Sequence, residues 1–231
     1  MLTVAQLNQY YGESHTLWDV SLDVPEGRCT CLMGRNGVGK TTLLKCIMGL
    51  LKMTSGNITF RGEKLLNGAA EHRAGLGIGY VPQGRQIFPL LTVKENLALG
   101  LTTGKKKQDG IPDLVFDLFP VLKEMLGRRG GDLSGGQQQQ LAIGRALVLE
   151  PSLLILDEPC EGIQPNIVQE IGVIIKKLIR ELNMTVLLVE QKIHFVKQVA
   201  DLFFILDRGR CVAGGEIKDL KQELISQYLT V

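Results

Sequence analysis

The segment Gly34-Arg35-Asn36-Gly37-Val38-Gly39-Lys40-Thr41 constrains this chain more than any other feature. It follows the apolar run Cys31-Leu32-Met33 and precedes the helical pattern Thr42 to Leu50, so it is a loop between a strand and a helix. In that setting G-x-x-x-x-G-K-T is a phosphate cradle: the glycines let backbone N–H groups curl around a β-phosphate, and the helix N-terminus adds positive potential. Lys40 is expected at the β- and γ-phosphate oxygens and the Thr41 hydroxyl at Mg²⁺, with Thr42 following at the mouth of the cradle. A chance glycine-rich turn could carry the same letters, but not the same flanks.

The rest of the chain agrees with a parallel α/β core. Short apolar runs at Cys31–Met33, Ile78–Val81, Leu153–Leu156, Val186–Val189 and Phe203–Leu206 alternate with amphipathic helical stretches, which predicts a parallel sheet with crossover helices. Ahead of them, Leu17, Val20, Leu22 and Val24 alternate with polar residues and end at Pro25-Glu26-Gly27, a pattern of antiparallel β structure. Between about Phe88 and Leu149 the strand pattern stops. Thr92-x-x-Glu95 and Ser134-x-x-Gln137 have the spacing of capping boxes, so this region is expected to be an inserted helical lobe. The three lysines Lys105 to Lys107 inside it are taken as a solvated loop rather than an acidic-partner patch. Ile217, Leu220, Leu224 and Leu229 predict one packed terminal helix. The expected organisation is one domain over 1–231, with 1–87 and 150–231 as nucleotide-binding core and 88–149 as helical subdomain.

Two further motifs carry chemistry. Leu153-Leu154-Ile155-Leu156-Asp157-Glu158 is a buried-strand pattern ending in two carboxylates, at the end of the sheet where a parallel α/β fold presents its site. Asp157 should hold Mg²⁺, and Glu158 should orient the attacking water and accept its proton. A pair of acids that merely caps the next helix is the plainer alternative. Ser134-Gly135-Gly136-Gln137 opens a helix, so free N–H groups, a hydroxyl and the helix dipole converge there as a second anion site. One nucleotide does not need both sites of one chain. Each ATP is therefore expected to lie between the Lys40 loop of one subunit and the Ser134 end of another.

Composition closes off other classes. The formal net charge of +2 over 231 residues gives no bulk attraction to a phosphate backbone, so no nucleic-acid partner is expected. No apolar run reaches the roughly 18–20 residues that cross a bilayer, and the first residues lack a targeting pattern. A cytoplasmic location is expected. The five cysteines show no metal-like pairing; Cys29 and Cys31 fall on one face of a strand pattern and are expected to be packed thiols.

These motifs together resemble the ATP-binding subunits of ABC transporters, over essentially the whole chain. The resemblance implies a P-loop NTPase (RecA-like) α/β core with an N-terminal antiparallel β subdomain and an inserted α-helical subdomain. It implies that Tyr11 stacks on adenine, with Tyr10 as the competing candidate, and that Gln83 senses Mg²⁺ and the attacking water. The wording Tyr80-Val81-Pro82-Gln83-Gly84-Arg85, Gln137 to Gln140, Glu161-Gly162-Ile163-Gln164-Pro165 and Val189-Glu190-Gln191 looks like the branched-chain amino acid and urea importer branch. Gln164-Pro165 and His194-Phe195-Val196 most resemble the urea subunits. Implied partners are a second, different ATPase subunit, two transmembrane permease subunits and, indirectly, a solute-binding protein, with this chain peripheral on the inner membrane face. A soluble ABC ATPase of an assembly system, such as iron–sulfur cluster biogenesis, is the alternative; a repair- or ribosome-type ABC protein would carry a coiled-coil insertion or tandem cassettes. Gln191 departs from the family, which generally has a histidine contacting the γ-phosphate there. His194 is the possible substitute. Cys160 stands beside Glu158 in place of a small hydroxyl residue, either as an oxidation-sensitive thiol or as inert packing.

Overall fold

In the computed structural model, which describes residues 1–65, 70–101 and 110–229, two sheets and their helices carry the chain. The first sheet is antiparallel and holds β1 (Leu2–Tyr11), β2 (Ser14–Val24), β4 (Ser55–Phe60) and β5 (Glu63–Lys64) in the order β2-β1-β4-β5. The second has the order β10-β9-β3-β8-β7-β6, from β3 (Cys29–Met33), β6 (Ile78–Val81), β7 (Leu153–Asp157), β8 (Thr185–Val189), β9 (Leu202–Asp207) and β10 (Arg210–Glu216). All its neighbours run parallel except β10, which returns antiparallel on β9. All five parallel strands coincide with apolar runs of the sequence. The reason is burial on both faces, which leaves no room for polar alternation.

Period 2 divides those strands between two cores. Cys29, Cys31, Met33, Leu154, Leu156, Val186 and Leu188 pack on one side, under α6 (Gly135–Leu147), α7 (Pro165–Leu182) and α8 (Ile193–Val199). Leu32, Leu153, Ile155, Leu187 and Val189 pack on the other, against the antiparallel sheet and α1 (Lys40–Ile47). Cys29 and Cys31 thus share one face as expected, and among the described residues no three or more His, Cys, Asp or Glu come together in a group that could hold a metal ion.

Helices occupy the stretch after β6: α2 (Ala70–Gly75) precedes that strand, and α3 (Val93–Leu101), α4 (Asp113–Leu118), α5 (Pro120–Glu124) and α6 follow it. Both capping boxes form. Thr92 and Glu95 exchange bonds at the start of α3, the Thr92 N–H donating to Glu95 Oε2 at 2.7 Å and the Glu95 N–H to Thr92 Oγ1 at 3.2 Å. The Lys105–Lys107 stretch lies outside the described residues. The single terminal helix expected from Ile217 onward does not form; a 3-10 turn at Ile217–Asp219 and a separate α9 (Gln222–Tyr228) replace it. The Ile217 N–H is claimed by the Asp201 carbonyl at 2.8 Å, and Leu220 leaves helical geometry at ψ 85° to bury its side chain. Among the described residues no helix is long and apolar enough to cross a membrane.

Candidate functional site

The Gly34–Thr41 loop leaves β3 and enters α1 at the end of the parallel sheet. Its shape depends on close approach: a Cβ on Gly34 would stand 2.3 Å from the Leu206 carbonyl and one on Gly39 2.8 Å from Leu17, both at positive φ. The N-terminus of α1 has no side-chain cap, unlike α3 and α6, so its first-turn amides remain for a phosphate. A cavity of about 300 Å³ opens over it, lined by Thr16, Asn36, Gly37, Gly39, Lys40, Thr41, Thr42, Gln83 and Glu158. Lys40 is buried; Nζ donates to the carbonyls of Gly34 and Arg35 at 2.8 and 2.9 Å and lies 3.4 Å from Glu158 Oε1. Val38 faces away and accepts a bond from the Gly209 N–H at 3.0 Å, which fastens the loop to the β9–β10 turn.

The neighbouring strands bring their polar ends to this cavity. Glu158, at φ +49°, follows the last residue of β7, and its carboxylate is bracketed by two amides. Gln191 Nε2 donates to Glu158 Oε1 at 2.6 Å and to Asn36 Oδ1 at 2.7 Å. Gln83 Nε2 donates to Glu161 Oε2 at 2.9 Å and reaches Glu158 Oε2 at 3.4 Å. Asp157 is buried with neither oxygen hydrogen-bonded, and burial pushes its carboxyl up to about 6, against the pull of the nearby Thr41 hydroxyl and Lys40. A buried, unpartnered carboxylate next to a hydroxyl is an oxygen donor set that fits a hard cation such as Mg²⁺, which takes few protein ligands.

Other predicted residues fall elsewhere. Ser134, Gly135, Gly136 and Gln137 open α6 and do not line the cavity; Ser134 Oγ accepts from the Gln137 N–H at 3.3 Å while Gln137 Oε1 accepts from the Ser134 N–H at 2.9 Å. Tyr11 is exposed at the β1–β2 turn. The ring of Tyr10 stacks on His15 at 4.0 Å, and His15 stacks on Trp18 at 3.5 Å, so Tyr10 is engaged within the sheet. His194 is exposed on α8 and faces a groove between α7 and α8, away from Glu158. Cys160 is fully buried, and burial raises its thiol well above the usual range, which is the condition of a packed thiol rather than a reactive one. Thr16 and Glu161 were not foreseen. Thr16 comes from β2, and only the antiparallel sheet lying against the loop carries it there. Glu161 stood inside a quoted motif, but nothing in its spacing linked it to Gln83.

The comparisons with known proteins agree with this geometry. The ABC transporter family matches residues 17–161. The chain is 44% identical over 213 residues to the high-affinity branched-chain amino acid transport ATP-binding protein BraG of Pseudomonas aeruginosa, covering 92% of this chain and 91% of that protein. It is 38% identical over 222 residues to a probable branched-chain amino acid transport ATP-binding protein, LivF, of Archaeoglobus fulgidus, covering 95% and 94%. A solved dimer of an ATP-binding cassette in a post-hydrolysis state, bound to ADP and Pi, superposes with a TM-score of 0.82 at 27% identity, covering 94% of this chain and 99% of that one. A phosphate loop, a strand-end carboxylate pair and a second helix end, set in a fold shared with such cassettes, have one common explanation: the chain belongs to the ABC transporter family and is one of its ATPase domains.

Proposed function

We propose that this chain energises a membrane importer, closing face to face with a second ATPase subunit on ATP and reopening after hydrolysis. The bracketing of Glu158 beside Lys40 and the phosphate loop carries the proposal, because it fixes a carboxylate where an attacking water would stand. ATP lies in the cavity, its adenine on the exposed ring of Tyr11, its phosphates on the loop amides and Lys40. Bound Mg²⁺, held by Thr41 and Asp157 with Gln83 beside it, would neutralise phosphate charge. Glu158 orients water and takes its proton. Asn36, Gly37 and Gly39 to Thr42 line the nucleotide while Gly34, Arg35 and Val38 hold the loop's shape around it, and Ser134 to Gln137 of the partner cap its γ-phosphate. Two transmembrane permease subunits dock near Phe88 and Leu90, half and four-fifths exposed, and a solute-binding protein delivers the solute to them. The chain then sits on the cytoplasmic membrane face. The helical lobe, 88–149, moves against the core, 1–87 and 150–231.

The transported solute is a small polar molecule. Identity to branched-chain amino acid transport proteins over nine-tenths of the chain supports branched-chain amino acids. Gln164-Pro165 and His194-Phe195-Val196 favour urea as a second reading. Uptake of radiolabelled leucine and of urea, in a strain lacking this subunit and complemented with it, tests both. Restored uptake of neither would overturn both solute readings.

A further inference from the structure

Three elements of this machine meet at Arg85, a side chain outside the phosphate motifs. The backbone after Gln83 takes positive φ at three consecutive residues, Gly84 at 75°, Arg85 at 68° and Gln86 at 45°. Two of these carry a Cβ, so the conformation is disfavoured on its own and has to be held by its surroundings. Arg145 Nη2 holds the Gln86 carbonyl at 2.8 Å. Arg85 reaches further: Nη1 donates to Gln138 Oε1 at 3.1 Å and Nη2 approaches the Gly162 carbonyl at 3.5 Å. Gln138 in turn donates to the Gly130 carbonyl at 3.2 Å.

The guanidinium lies across the first turn of α6. A Cβ on Gly135 would stand 3.2 Å from both of its terminal nitrogens, and one on Gly136 would stand 3.0 Å from Ile167 of α7. The two glycines therefore give this turn room between Arg85 on one side and α7 on the other. A cation at the positive end of a helix is electrostatically disfavoured. Its hydrogen bonds hold it there, and an anion arriving at the same helix end would relieve the repulsion.

We propose that Arg85 is a positioning residue that pins the Ser134 end of α6 and the Glu158–Gly162 loop to the Gln83 segment. In the nucleotide-free chain the anion site offered to the partner's ATP and the carboxylate acting on the chain's own ATP are thereby held in one arrangement, from which the lobe moves against the core when ATP binds. The consequence for turnover rests on the function proposed above; the pin itself does not.

The test is a cycle of Arg85→Ala, Gly135→Ala and their double variant in the nucleotide-free full chain, read as Tm. Alanine is the better helix former, yet Gly135→Ala alone should lower Tm by roughly 2–4 °C, and in the Arg85→Ala background the same change should leave Tm unchanged or raise it. A penalty that persists without Arg85 overturns the pin. In the assembled complex Arg85→Lys keeps the charge but cannot span two acceptors, so kcat should fall roughly ten- to hundred-fold at unchanged KM for ATP. Gln138→Ala should match that loss, with no further loss in the double variant. Unchanged kcat in Arg85→Lys, or additive losses, overturns the positioning role in turnover. A wild-type complex without ATP hydrolysis would instead sink the proposed function and leave the Tm cycle standing.

Discussion

A carboxylate that takes a proton from water has to be held still while remaining free to accept. Glu158 meets both demands, with Gln191 on Oε1, Gln83 near Oε2 and Lys40 at 3.4 Å. Glu158→Gln should keep ATP binding and lose turnover by about 10²–10⁴-fold. The ATP-bound dimer should then persist in size measurements, because closure needs the ligand and reopening needs hydrolysis. Near-normal turnover in the complex would remove Glu158 from this role. Gln191 cannot titrate or pass a proton as an imidazole can, so it acts by holding Glu158 and Asn36. If the second ATPase subunit bears the family's γ-phosphate histidine, the two ATP sites are unequal: Gln191→Ala should slow transport only in part, His194→Ala should not change it, and replacing that histidine should stop it. Equal loss from the Gln191 change would mean that the two sites are equivalent. Asp157 gives a pH signature in the nucleotide-free chain under chelation. Its carboxyl is raised from 3.8 to about 6 by burial, so the folded state holds the proton more tightly than the unfolded one. That contribution is complete below about pH 4 and is lost as pH rises through 6. Asp157→Asn should therefore stabilise the ligand-free chain at pH 7 by up to about 3 kcal/mol and do nothing at pH 4, as denaturant midpoints would report.

At the scale of elements, the sequence was most legible where the signal is local. Five apolar runs became five parallel strands, because a sheet covered on both faces admits little else, and Thr92/Glu95 and Ser134/Gln137 became capping boxes because their partners lie three residues apart. The terminal helix failed because its apolar spacing says nothing of Leu220 leaving helical geometry at ψ 85° to bury its side chain, which ends the first turn. Asn96 was invisible for a related reason. It is fully buried on α3, where the two N–H groups of Nδ2 are shared among the carbonyls of Phe88, Leu91 and Thr92 and Oδ1 accepts from the Phe88 N–H at 2.9 Å. Those groups are loop backbone, which no motif marks. Asn96 thereby shapes the Phe88–Thr92 loop that presents Leu90 to solvent. Asn96→Leu should cost about 2–4 kcal/mol through the unpaired loop groups, seen as a lower urea midpoint, and should weaken capture of the chain by its membrane subunits.

At the scale of the molecule, the phosphate loop and the Ser134 end of α6 belong to one chain but not to one cavity. Ser134→Arg should thus leave nucleotide titration of the isolated chain unchanged while abolishing ATP-driven association. Loss of monomer affinity with association retained would show the opposite geometry. Glu158 was legible from its place at a strand end, Gln83 through the family resemblance and Gln191 as a departure from it, whereas Thr16 and Arg85 depend on which surfaces the fold brings together. The sheet order also has a meaning in time. The strand β3 that launches the phosphate loop is flanked by β8 and β9, and Val38 within the loop is fastened by Gly209. Ribosomes deliver about 5–20 residues per second, so the loop emerges many seconds before the strands that brace it. A nascent chain that stops short of β9 has the nucleotide motif and its contact with Leu17 but lacks both flanking strands and the Gly209 fastening, so the cradle should offer ATP an incomplete site until β9 has been made.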